Sequence, residues 1–141
     1  MIEFNFETDF ELKSRMKIQK WISEIIISEG FEEGEVLYIF CDDEYLHKLN
    51  VSFLGHDTLT DIISFDYRVG KQINGEIYIS VERVAENSKD FKTNFEDELH
   101  RVMIHGILHF CGYKDKTVQR RMRLLKSLPH FKTIISATQL P

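Results

Sequence analysis

The most informative stretch of the sequence is His105-Gly-Ile-Leu-His109-Phe-Cys-Gly112-Tyr-Lys-Asp115. Four residues along an α-helix amount to about 400° of rotation, so the two imidazoles lie one turn apart on the same face and can bind one metal ion. Gly112 is suited to end the helix through a left-handed turn, after which Asp115 is free to fold back as a third ligand. The spacing therefore predicts three protein ligands and an open position, which is typical of a catalytic rather than a structural zinc site.

The residue after the first histidine argues against peptidase chemistry. The spacing matches the extended zinc-peptidase signature, in which a Glu follows the first His and serves as general base. This chain has Gly106 at that position, and glycine carries no proton acceptor. The pattern thus favours a bound metal without the catalytic base of a peptidase.

The composition is that of a folded domain with a substantial core. The chain has 141 residues, 43% of them hydrophobic, including 11 Phe. No apolar run is long enough to span a bilayer, and the acidic N-terminus lacks the basic region of a signal peptide. Two cysteines, Cys41 and Cys111, cannot build a disulfide framework. We therefore expect a single domain over residues 1–141, in the cytoplasm.

Positive charge is concentrated directly after the histidine motif. The net charge of −5 alone speaks weakly against a nucleic-acid partner. The segment that follows the motif is nevertheless rich in cations, with Asp115 as its only acid, and we expect RNA contacts at Lys114, Lys116, Arg120, Arg121 and Arg123. The alternative interpretation is an ordinary solvated helix face, and the charge pattern alone does not separate the two.

Hydrophobic periodicity and turn residues predict the order β-α-β-α-β-β-α-α-α. The strands are expected near residues 2–6, 36–40, 60–65 and 75–80, and the helices near 10–28, 43–53, 81–89, 95–111 and 117–128. Asp42 and Asn94 are the expected N-caps of the second and fourth helices. This is an α+β domain with a small, mixed, four-stranded sheet packed with about five helices.

Several motifs together resemble those of the YbeY family, bacterial single-strand endoribonucleases of ribosomal RNA maturation. The histidine stretch resembles the family's His-Gly-x-Leu-His-x2-Gly-Tyr motif. Three further motifs agree in order and spacing, and they are Leu49-Asn50, Thr60-Asp61-Ile-Ile-Ser64-Phe65 and Gly75-Glu-Ile-Tyr-Ile-Ser80. The resemblance covers roughly residues 35–125. It implies a metal-hydrolase-like α+β fold, one Zn²⁺ per chain and ribosomal RNA as substrate.

The sequence departs from the family pattern at two positions. The family motif ends Gly-Tyr-Asp-His with His as third ligand, whereas Asp115 stands at that place here. A carboxylate binds zinc at a similar distance, so we expect the site to persist with one charge less. The family also carries an Arg shortly after Leu-Asn, where this chain has Leu54; Lys114 is a candidate substitute, although it lacks the fork of an Arg.

The leading hypothesis is a zinc-dependent endoribonuclease of ribosomal RNA maturation and ribosome assembly, with His105, His109 and Asp115 as metal ligands and no residue assigned as general base. Ribosomal proteins are further candidate partners, and no membrane is involved. A second hypothesis is a non-catalytic RNA-binding assembly factor with a structural metal, and the weakest is a metallopeptidase. His100, which lies off the ligand face of its helix, is expected at the surface.

Overall fold

The computed structural model describes residues 1–126. Along the chain the elements are β1 Ile2–Phe6, α1 Arg15–Ser28, β2 Glu32–Cys41, α2 Asp43–Leu49, β3 Ile62–Asp66, β4 Gln72–Ser80, α3 Val81–Asp90, α4 Phe95–Phe110 and α5 Asp115–Lys126. This order confirms the predicted α+β arrangement. The C-terminal limit expected for the last helix, residue 128, lies outside the described residues.

The four strands form one mixed sheet in the order β1-β2-β4-β3. β1 pairs with β2, and β2 with β4, in parallel, whereas β3 runs antiparallel along β4. The antiparallel pair follows from the short connection between β3 and β4, since a parallel pair needs a longer crossover. β2 and β4 are therefore the central strands, and their alternate residues fill the core.

The main core lies between one face of the sheet and the helices α1 and α4. One apolar cluster contains Trp21 and Ile22 of α1, Tyr38 of β2, Ile77 of β4 and Met103 of α4, and all five side chains are almost completely buried. α4 begins where expected, because the Asn94 side chain accepts a hydrogen bond from the amide of Asp97. The helix that carries the histidines is thus held against the sheet by apolar burial.

The expected start of the first helix at residue 10 is wrong, because α1 begins at Arg15. Ser14 has a left-handed backbone with φ of 58°, which no residue inside a right-handed helix can adopt. Phe10 and Leu12 still pack against the core from an irregular segment. Their apolar spacing therefore reflects burial rather than helical structure.

The second helix has two parts. Asp42 caps α2 as predicted, with its side chain accepting from the amide of Tyr45. After Leu49 the helix widens into a π-helical segment, Asn50–Leu54, which ends at Gly55. Here α2 covers a smaller apolar cluster formed by Cys41, Leu46 and Ile63. Among residues 1–126, no helix is both long and apolar enough to cross a membrane.

Candidate metal centre

The turn after α4 brings the chain back towards the histidines. Gly112 has φ of 98°, and its amide donates to the carbonyl of His109, while the amide of Tyr113 donates to that of Leu108. These two bonds form a Schellman motif, which requires a left-handed residue at the position of the glycine. The predicted exit through Gly112 is confirmed, and it reverses the direction of the backbone within a few residues.

Asp115 lies at the start of α5 rather than in a free loop. The helix begins two residues earlier than expected, and the amide of Lys114 donates to the hydroxyl of Thr117, 3.1 Å away. This contact satisfies one of the amides that a helix start leaves unpaired. Because α5 starts there, the Asp115 carboxylate is directed at the end of α4 by regular secondary structure.

The three predicted ligands converge. The Nε2 atoms of His105 and His109 lie 2.8 Å apart, and Oδ1 of Asp115 lies 2.7 Å from His109 Nε2 and 3.5 Å from His105 Nε2. Ligands about 2.0–2.2 Å from a tetrahedral zinc ion lie roughly 3.4 Å from one another. The observed spacing is close to this, and two imidazoles with one carboxylate form a donor set that suits zinc. The residues present therefore fit a metal ion.

The electrostatic surroundings keep His105 in the form that binds a metal. Burial, the neighbouring His109 and the Arg101 guanidinium all lower the pKa of His105, although Asp115 opposes the shift. A neutral imidazole offers a lone pair, whereas a protonated one does not. The His105 and His109 side chains are 20% and 31% exposed and Asp115 is 83% exposed, so one side of the cluster faces solvent.

Arg101 lies one helical turn before His105, and the sequence analysis missed it. Its guanidinium donates two hydrogen bonds of 2.7 and 2.8 Å to the buried carboxylate of Glu98, and it lies 3.9 Å from Asp61. The spacing Arg101-x3-His105-x3-His109 was the available signal, since positions four apart share a helix face. The charge of Arg101 is largely compensated by these two acids.

Gly106 lies where α4 packs closely against the sheet. A Cβ at this position would lie 2.9 Å from Cδ1 of Ile77 and 3.2 Å from Cδ1 of Ile62. Ile77 is completely buried and belongs to the core, so it has little space to move. The position that bears the general base in zinc peptidases is therefore packed against the sheet and has no room for a glutamate.

The cations of α5 divide between two faces of the helix. Lys116, Arg120 and Arg123 are exposed and follow the spacing i, i+4, i+7, which places them on one stripe. Val118 and Met122 lie on the opposite side and are buried in the core. Within the described part of the chain, the side chains of this stripe and of the exposed Lys114 form no ion pair.

Arg121 has a different environment from the other cations of α5. Its Nε donates to the carboxylate of Glu29 at 2.6 Å, and the guanidinium is 30% exposed. This ion pair already uses part of the charge of Arg121. It therefore argues against the expected contact between Arg121 and RNA.

Leu54 and His100 occupy different environments, one exposed and one buried. Leu54 ends the π-helical segment and is 47% exposed. Because its side chain is apolar, this position cannot supply the positive charge of the family's Arg. His100, expected at the surface, is only 1% exposed and lies edge-on to Trp21, with ring centroids 5.7 Å apart. The expectation for His100 was wrong because α1 and α3 cover faces of α4 that a helix on a protein surface would expose to water.

The chain is similar in sequence to proteins of one family. The family model described as Endoribonuclease YbeY matches residues 3–129. A relative named Endoribonuclease YbeY from Flavobacterium johnsoniae is 62% identical over 117 residues, which cover 83% of this chain and 84% of the relative. A relative of the same name from Christiangramia forsetii is 54% identical over 125 residues, covering 89% of this chain and 87% of the relative.

A solved structure shares the fold. The solution structure of TM1509 from Thermotoga maritima superimposes with a TM-score of 0.63 at 28% sequence identity. The alignment covers 98% of this chain and 89% of that protein. The mixed sheet with its surrounding helices is therefore an arrangement already seen by experiment.

Proposed function

The chain belongs to the Endoribonuclease YbeY family, and we propose that it is a zinc-dependent endoribonuclease that cleaves single-stranded RNA. We propose ribosomal RNA as its substrate, in the maturation of that RNA and the assembly of ribosomes. The observation that carries the proposal is that the candidate ligand atoms of His105, His109 and Asp115 all lie within 4.8 Å of one another. Three ligands that leave one side open are typical of a catalytic zinc site.

The three side chains divide the work of holding the ion. His105 and His109 offer imidazole nitrogens from one face of α4, and Asp115 offers a carboxylate oxygen from the start of α5. When bound, zinc supplies a Lewis acid that polarises a phosphoryl oxygen and makes its water more acidic. The solvent-facing side of the cluster is where a phosphodiester of the RNA would approach.

RNA would be held by the cations of α5 rather than by Arg101. Arg101 is paired with Glu98 and Asp61, so little of its charge remains for a phosphate. Lys114 and Lys116 flank Asp115 in the sequence, and both are exposed, as are Arg120 and Arg123 of the same stripe. Contacts of this kind hold the backbone of a nucleic acid without reading its sequence.

Two features favour the alternative of an RNA-binding assembly factor with a structural metal. Gly106 excludes a general base at the peptidase position. The carboxylates of Glu98 and Asp61 are both paired with Arg101, so neither is free to serve as a general base instead. Metal-dependent cleavage of single-stranded RNA separates the two functions, because only the enzyme produces fragments.

We further propose that residues 1–141 form one domain that works in the cytoplasm. A single apolar cluster includes residues as distant in sequence as Ile2 and Met122. Cys41 and Cys111 are both free, which suits a reducing compartment.

The test is cleavage of a labelled single-stranded RNA by the parent protein and by His109→Ala. The control is Asp43→Asn, which alters an ion pair with Arg83 on helices that carry no ligand. We expect cleavage by the parent and the control, and its loss in His109→Ala. Equal cleavage by the parent and His109→Ala would overturn the proposal.

A further inference from the structure

A buried carboxylate at the end of α1 joins three distant parts of the chain. Glu29 follows the last residue of α1, and its side chain is only 6% exposed. One carboxylate oxygen accepts a hydrogen bond of 2.8 Å from the hydroxyl of Tyr113, and the other accepts one of 2.6 Å from Nε of Arg121. These donors lie 84 and 92 residues further along the chain, so the contact is purely tertiary.

The two donors flank the third metal ligand. Tyr113 precedes Asp115 by two residues and belongs to the turn that leaves α4, while Arg121 follows Asp115 by six residues, in the second turn of α5. Both bonds reach the same carboxylate, so the turn and the helix are fixed relative to each other and to α1. Asp115 lies on the backbone between these two attachments.

The Asp115 side chain has little of its own to hold it in place. It is 83% exposed, and among residues 1–126 its side-chain contacts are the ion pairs with His105 and His109. Among the side chains of α5 that the structure describes, the buried apolar ones are Val118 and Met122, both beyond the first residues of the helix. The position of the carboxylate is therefore determined by how firmly the start of α5 is attached.

We infer that Glu29 is a positioning residue for Asp115, and through it for the metal ion. The inference rests on the metal site proposed above, and it adds a residue that touches neither the ion nor its ligands. Losing the Glu29 contacts would let the start of α5 move away from the histidines. The ion would then keep both imidazoles and lose the carboxylate for part of the time.

The conservative variant Glu29→Gln tests this. A carboxylate can accept from both Tyr113 and Arg121, but an amide offers one oxygen and one NH2 donor. The amide can keep both partners only as a neutral group, with its oxygen accepting from Arg121 and its NH2 donating to the Tyr113 oxygen, so both attachments lose the charge that strengthens them, with almost no change of volume. Changes to residues that orient metal ligands typically weaken metal binding about 10–100-fold, and we expect the lower end of this range because Glu29 acts through the backbone.

The measurement is the affinity of the metal-free protein for zinc, by competition with a chromophoric chelator, in parent, Glu29→Gln, Asp115→Ala and the double variant. We expect Glu29→Gln to bind zinc about tenfold more weakly than the parent, from the range given above. In the Asp115→Ala background the same change should have no further effect, because the ligand that it positions is absent. Cobalt(II) spectra should show Glu29→Gln shifted towards the spectrum of Asp115→Ala.

If Glu29→Gln folds poorly, Tyr113→Phe is a second variant that disturbs the fold less, since it removes a single hydroxyl. We expect it to weaken zinc binding as Glu29→Gln does, with the same dependence on Asp115. Asp43→Asn is the matched control, since it breaks a carboxylate–Arg pair on α2 and α3 and should leave zinc affinity unchanged. Unchanged affinity in both Glu29→Gln and Tyr113→Phe, or an equal loss with and without Asp115, would overturn the inference. If Asp115→Ala itself binds zinc as tightly as the parent, the metal site is wrong instead.

Discussion

The exposed stripe on α5 gives the sharpest prediction about RNA. Replacing Lys116, Arg120 and Arg123 together by Gln removes three charges from one face of the helix while keeping long, polar, helix-compatible side chains. Arg121 is left in place because it is paired with Glu29, and its removal would disturb α5. The triple variant should therefore fold and bind metal as the parent does, but hold RNA more weakly.

The size of the effect follows from counterion release. Each cation on a phosphate of single-stranded RNA adds about 0.7 to the slope of log affinity against log salt. Three lost contacts lower the slope by about 2 units. At 0.1 M salt the same relation gives about 0.7 log units of affinity per contact, so the triple variant should bind about a hundredfold more weakly.

Binding of a labelled single-stranded RNA is measured at several salt concentrations, in the presence of chelator so that cleavage does not interfere. The control is a triple Gln variant of Lys13, Lys17 and Lys20, which are exposed on and just before α1 and carry the same total charge. A specific stripe predicts a reduced slope in the first variant alone. Equal changes in both variants, or no change in the first, would refute the assignment of the RNA surface to α5.

Three further predictions concern the site and the core. Asp115→His should keep zinc bound, whereas Asp115→Ala should lower the affinity about a hundredfold, as measured by chelator competition, because a typical zinc site gains about 3 kcal/mol from each ligand. Gly112→Ala forces a Cβ on a backbone with φ of 98° and should cost about 1–2 kcal/mol in urea unfolding. Burial lowers the pKa of His100 to about 4, below its value of about 6.5 in the unfolded chain. The contribution of His100 to the free energy of unfolding should therefore be fully present above pH 6.5 and should fall towards pH 4 by up to about 1.4 kcal/mol per pH unit. In urea unfolding at several pH values, His100→Leu should lack this contribution to the slope.

The sequence was sufficient for the parts of the site that depend on local geometry. The spacing of His105 and His109 on one helix face, and the need for glycine at position 112, follow from helix periodicity and backbone sterics. Asn94 was recognised as an N-cap because its side chain acts on an amide only three residues away. Each of these signals operates over a few residues, so a single sequence contains it.

The errors arose where tertiary contacts override local pattern. Phe10 and Leu12 have helical spacing, but Ser14 takes a left-handed conformation and delays α1. His100 was expected at the surface because it is off the ligand face, yet other helices cover that side of α4. Glu29 had no signal at all, since its partners lie 84 and 92 residues away.

The most direct test of the account is a zinc titration of the metal-free protein, with cleavage of single-stranded RNA as the readout. If His105, His109 and Asp115 form one site that cleaves RNA, activity is absent without metal, rises in proportion to added zinc and stops rising at one equivalent per chain. Full activity in the metal-free protein, or zinc bound at one equivalent without any cleavage, would contradict the claim.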